Sequence, residues 1–105
     1  MAASGYTTIW EFLVPEDQRA AFERHYGDQG TWVQLFRRAP GHVQTLLLRD
    51  RDVPERYVTI DRWVDSSAYK AFRLNFADEY RALDAQCEGF TRRETALGTF
   101  DELSP

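Results

Sequence analysis

The stretch Arg56-Tyr-Val-Thr-Ile-Asp-Arg-Trp-Val-Asp-Ser-Ser-Ala-Tyr69 decides the fold. Its first half alternates with the period of a β-strand. Tyr57, Thr59, Asp61 and Trp63 share one side; Val58, Ile60, Arg62 and Val64 share the other. Apolar groups on both sides predict a central strand covered on both faces. After Trp63 the period lengthens. Tyr69, Phe72, Phe76, Tyr80, Leu83 and Cys87 recur at three- and four-residue steps, which predicts one long amphipathic helix opening at Asp65 or Ser66 and stopping at Gly89. One residue is out of keeping with plain core: Asp61 puts a carboxylate between Thr59 and Trp63.

Upstream, Tyr6 to Val14 reads as a first strand, with Tyr6, Thr8, Trp10, Phe12 and Val14 on one face. Pro15 ends it and suits the first turn of a helix carrying Phe22 and Tyr26, which Gly27 and Gly30 stop. Thr31-Trp-Val-Gln34 fits a capping box for a second helical piece, closed by Ala39-Pro-Gly41. His42 to Asp50 is the second strand, in a hairpin with the third. Phe90 to Phe100 is a fourth, polar enough at Arg92, Arg93 and Glu94 to be an edge. The order β-α-β-β-α-β is the ferredoxin-like α+β arrangement, a four-stranded antiparallel sheet with both helical connections on one face. The whole chain, 1–105, is one domain with its core at about 6–100.

Whichever side meets the helices, the other is still apolar, and such a face predicts association. Burying ~600 Å² of it per chain would contribute about 15 kcal/mol before association costs, so a homodimer joined sheet to sheet is expected.

Composition bounds the function. Thirteen basic against seventeen acidic residues give a net charge of −4, which argues against binding nucleic acid. Cys87 is the single cysteine and lies on the apolar stripe, so neither an internal disulfide nor a multi-cysteine metal site is available. His25 and His42 lack metal-ligand spacing; His25 suits the end of a helix, and His42, at a strand start, is expected to be exposed. No glycine-rich phosphate loop is present, so no flavin, nicotinamide or nucleotide site is predicted. No apolar run is long enough for a membrane span, and Met1-Ala-Ala-Ser-Gly5 has no signal-peptide character. A cytoplasmic protein without metal or cofactor is expected.

With the elements in this order, the chain resembles the antibiotic biosynthesis monooxygenase (ABM) family of dimeric α/β barrels. Ile9-Trp-Glu-Phe12, Phe36-Arg-Arg-Ala-Pro-Gly41, Tyr57-Val-Thr-Ile-Asp-Arg-Trp63, Ser66 and Ala68-Tyr-Lys-Ala-Phe72 carry the resemblance, over about residues 6–98. It implies a cleft lined by Trp63 and, six residues on, Tyr69. Where the family's quinone-forming oxygenases have an Asn, this chain has Thr59; where they have an Arg, it has Leu83, with Arg81 nearest. The Asn and His of the haem-degrading branch are absent from the first strand and from Ser66–Glu88.

The implied activity is a cofactor-independent monooxygenase oxidising a small aromatic of anthrone or quinol type. Such an enzyme packs a planar phenol in a dry pocket, removes a proton and lets the anion meet oxygen. Asp61 or Tyr69 would handle the proton; Trp63, Thr59, Phe72 and Phe76 would hold the ring. Two environments are open to Asp61. Desolvated against Trp63, its pKa would rise toward that of a useful base. Paired with Arg49, Arg92 or Arg93, it would be a structural ion pair. Glu11 is expected to pair with Arg62. The competing function is a non-catalytic dimer that binds a small molecule or responds to stress.

Overall fold

A computed structural model of the chain describes residues 5–103. Four strands form one antiparallel sheet: β1 (Tyr6–Leu13), β2 (His42–Arg49), β3 (Arg56–Trp63) and β4 (Arg93–Asp101), in the order β2-β3-β1-β4. The 56–63 stretch is a central strand, as its two apolar sides require. β2 and β4 form the edges.

Each helical connection is in two pieces. A 3-10 turn at Glu16–Gln18 follows Pro15 and leads into α1 (Arg19–Tyr26), then α2 (Thr31–Phe36). The expected capping box does not form. Gly30 is the N-cap, Thr31 Oγ1 lies 2.8 Å from His25 Nδ1, and Gln34 turns to the carbonyl of Gln29. The predicted long helix is likewise two, α3 (Ser66–Asn75) and α4 (Ala77–Cys87), broken at Phe76. Its apolar stripe runs through the break because Phe76 stacks on Phe72 at 5.6 Å and Tyr80 meets the same ring edge-on at 6.1 Å. Asp65 caps α3, its Oδ1 accepting from the Ala68 N–H at 2.8 Å.

The side of β3 carrying Tyr57, Thr59, Asp61 and Trp63 faces the helices. Cross-strand registers align it in rows: Tyr6, Trp63 and His42; Thr8, Asp61 and Thr45; Trp10, Thr59 and Leu47; Phe12, Tyr57 and Arg49. Trp63, Tyr57 and Val14 from the sheet side and Phe22 and Phe72 from the helices are buried between the two layers. The opposite side is uncovered, with Ile9, Leu13, Val58 and Ile60 half-buried and Leu46, Leu48, Val64 and Phe100 exposed. Glu11 on this side pairs with Arg56 at 2.6 Å rather than with Arg62, whose guanidinium reaches Glu102 at 2.8 Å. The substitution is geometric: Arg56 lies diagonally across from Glu11 and also reaches Asp50 at the hairpin, anchoring both.

Candidate active site

A cleft opens between the helix-facing side of the sheet and helices α1, α2 and α4. Its floor is Thr59, Asp61 and Thr45; its walls are Trp10, Phe12, Tyr26, Trp32, Phe36 and Tyr80; exposed Asp84 and Glu94 stand at the rim. The cavity measures about 60 Å³, well beyond the ~10–15 Å³ that a single water needs. Aromatic walls over a few polar floor groups are the usual make-up of a small-molecule site.

Asp61 is the chemically distinctive group. It is 8% exposed, and its Oδ1 accepts a 2.8 Å hydrogen bond from Thr45 Oγ1. Burial pushes its carboxyl from the ordinary 3.8 up to about 6, against the lowering influence of the Thr45 and Thr8 hydroxyls. Among the described residues no cation pairs with it. Arg49 lies 3.8 Å from Glu23, and Arg92 is paired with Glu55. The ion-pair environment therefore lacks its partner. Tyr80, on the wall, is pushed up to about 12 by burial, so its hydroxyl stays protonated at neutral pH.

Of the residues singled out from the sequence, Asp61 and Thr59 line the cleft. Trp63, Tyr69, Phe72 and Phe76 lie behind it. Trp63 is 0% exposed, enclosed by Phe36, His42, Tyr69 and Phe72 at ring distances of 5.2–5.7 Å. Tyr69 packs on Tyr6 and Trp63, its hydroxyl accepting from Arg73 at 3.1 Å. Phe72 is buried in the same stack, and Phe76 sits under the Arg38 guanidinium. Arg81 pairs with Asp78 on the exposed side of α4, and no Lys or Arg among the described residues lines the cavity. Strand parity placed Trp10 and Phe12 on one face of β1. It could not show which face of β3 they share, nor that Tyr26, Trp32 and Phe36 arch over them.

His42 is not exposed as expected. It is half-buried between Phe36 and Trp63, and burial with the Arg37 charge lowers its pKa. No three His, Cys, Asp or Glu side chains converge on a metal-sized site among the described residues. None of the helices found there is long and apolar enough to cross a membrane.

A ferredoxin-like α+β sheet with an aromatic cleft under split helical connections defines the structural class. Within it, the sequence profile described as antibiotic biosynthesis monooxygenase matches residues 5–85, and the chain belongs to that family. It is similar to SnoaB from Streptomyces nogalater, a cofactor-independent oxygenase, with 27% identity, coverage of 98% of this chain and 97% of that one, and a TM-score of 0.65. An antibiotic biosynthesis monooxygenase homologue from Nitrosomonas europaea shares 18% identity over 100% and 96% of the two chains, at a TM-score of 0.76. PA3566 from Pseudomonas aeruginosa shares 17% over 99% of each, at 0.74. No curated protein matches the chain by sequence.

Proposed function

We propose that the protein is a cofactor-independent monooxygenase that oxidises a small, planar, electron-rich aromatic of the anthrone or hydroquinone type, with Asp61 as general base. The observation that carries this is a buried carboxylate on the floor of an aromatic cavity, raised to about 6 and with no cationic partner among the described residues. A base of that proton affinity is ionised at neutral pH yet still basic enough to accept a proton from an acidic ring carbon or phenol. The likeness to SnoaB, a cofactor-independent oxygenase, supports the same class.

The ring packs against Trp10, Trp32, Tyr26 and Phe36, with Thr59 and the Tyr80 hydroxyl as polar contacts. Asp61 takes a proton from the substrate, and the resulting anion reduces oxygen as a carbon–oxygen bond forms. Asp61 returns its proton to the peroxide; loss of water leaves the new carbonyl. Oxygen is the only oxidant required. Trp63, Phe72 and Phe76 contribute as the rigid backing of the wall, and Tyr69 holds Trp63 rather than touching the ring. The working unit is a homodimer in which the uncovered sheet faces meet, since that face carries Leu46, Leu48, Val64 and Phe100 exposed in the single chain.

The test is oxygen uptake with 1,8-dihydroxyanthrone and a set of hydroquinones. Wild type should exceed the spontaneous rate, and folded Asp61→Asn should fall by about 10²–10⁴-fold. Equal rates for the two would make Asp61 structural. Uptake no faster than spontaneous for every compound would favour a binding protein without chemistry.

A further inference from the structure

His42 and Thr45 form a connected pair that the proposed chemistry leaves unused. His42 Nε2 lies 2.9 Å from Thr45 Oγ1, and that hydroxyl lies 2.8 Å from Asp61 Oδ1. Residues three apart on a regular strand point to opposite faces, so the His42–Thr45 contact requires an irregularity. β2 has one. His42 stands opposite Trp63 and Gln44 opposite Arg62, leaving Val43 as the extra residue of a β-bulge. The bulge returns His42 to the helix-covered face beside Thr45 and leaves Val43 50% exposed. Phe36 at 5.5 Å and Trp63 at 5.2 Å then clasp the imidazole.

Counting hydrogens fixes the direction of the chain. A carboxylate only accepts, and a threonine hydroxyl has one hydrogen to give. With Asp61 ionised, Thr45 donates to Asp61 and its oxygen accepts from His42, which carries a proton on Nε2. We propose that His42 is a positioning residue for Asp61, acting through Thr45: the imidazole N–H orients the hydroxyl, and the hydroxyl fixes the carboxylate by donating to it. Its importance for turnover rests on Asp61 being the base proposed above; the hydrogen-bond chain itself does not.

Other groups bear on the same titration. Thr8 of β1 adds a second hydroxyl to Asp61, while Tyr26 of α1, Tyr80 and Asp84 of α4, and Glu94 of β4 line the same cavity. Arg37, after α2, faces His42. None of these supplies the orienting N–H to Thr45.

The experiment follows the Asp61 carboxyl by ¹³C NMR across pH in the ligand-free protein. The proteins compared are wild type, Thr45→Val, Thr45→Ser, His42→Phe and His42→Gln. Thr45→Val should raise the Asp61 proton affinity about tenfold, one pH unit in midpoint. Thr45→Ser should restore it. His42→Phe keeps a ring between Phe36 and Trp63 but removes the N–H, and should shift the midpoint the same way by less; His42→Gln, which can still donate, should fall between it and wild type. The ¹⁵N spectrum of wild type should show His42 protonated on Nε2 at neutral pH. An Asp61 midpoint unmoved in His42→Phe, whatever Thr45→Val does, or a proton on Nδ1 alone, overturns the proposal. Both readouts are independent of turnover. Oxygen uptake by the same variants separates the hydrogen-bond chain from the oxygenase reading: shifted midpoints in a protein that consumes no oxygen would keep the chain and discard the oxygenase.

Discussion

Asp61 works against the fold at neutral pH, because its folded pKa of about 6 exceeds the ordinary 3.8. The folded state therefore holds the proton more tightly than the unfolded chain does. The stabilisation this gives is fully present below about pH 4 and is lost as pH rises through 6; above that, the buried charge costs about 3 kcal/mol. Asp61→Asn should accordingly stabilise the protein at pH 8 by up to that amount and leave it unchanged at pH 4, as urea unfolding at the two pH values would report. An equal effect at both would show that the carboxylate is not strained by burial. Trp63 has the opposite character. Fully enclosed, its replacement by Ala should cost about 3–5 kcal/mol, read as a lower thermal midpoint, before any effect on chemistry is considered.

At the scale of elements, the turn into β2 has the least tolerance. Gly41 holds φ at 97°, and a Cβ there would lie 2.6 Å from that of Ala68. Gly41→Ala should cost about 1–3 kcal/mol in chemical denaturation, and a neutral result would mean that α3 can move aside. The strands were legible because alternation survives wherever one side is covered, and the change of period after Trp63 announced the following helical segment. The bulge at Val43 was not legible: one extra residue in a strand leaves composition untouched and only reverses parity, so nothing signalled that His42, expected to be exposed at a strand start, turns to the covered face. Nor was the break at Phe76, since aromatic residues continue the stripe on both sides of it. The cleft was half legible for a related reason. Parity put Thr59, Asp61 and Trp63 on one face, but their depth under the helices depends on tertiary packing. It left Asp61 at the cavity and Trp63 sealed behind it.

The molecule as a whole has one covered and one uncovered sheet face. Leu48 on β2 and Phe100 on β4 are each 47% exposed on the bare side, and Ile60 sits between these edge strands on the central strand β3. Removing such a surface from water drives association. Sedimentation equilibrium of wild type at micromolar concentration should give twice the chain mass, with a thermal midpoint that rises with concentration. Ile60→Glu places a charge where the partner would seat and should give a folded species of single-chain mass. A wild type of single-chain mass at every concentration would mean that the face stays in water.

The distribution of the three tryptophans gives the protein a spectroscopic use. Trp10 and Trp32 stand in the cavity wall, whereas Trp63 is walled off behind Phe36 and Phe72. Incorporating 5-fluorotryptophan would therefore yield two ¹⁹F reporters of occupancy and one internal reference. Titration with 1,8-dihydroxyanthrone under nitrogen should move the Trp10 and Trp32 resonances, identified by Trp→Phe replacement, and leave the Trp63 line nearly in place. Occupancy could then be followed with oxygen withheld, so that candidate ligands are ranked by where they sit before any is asked to react.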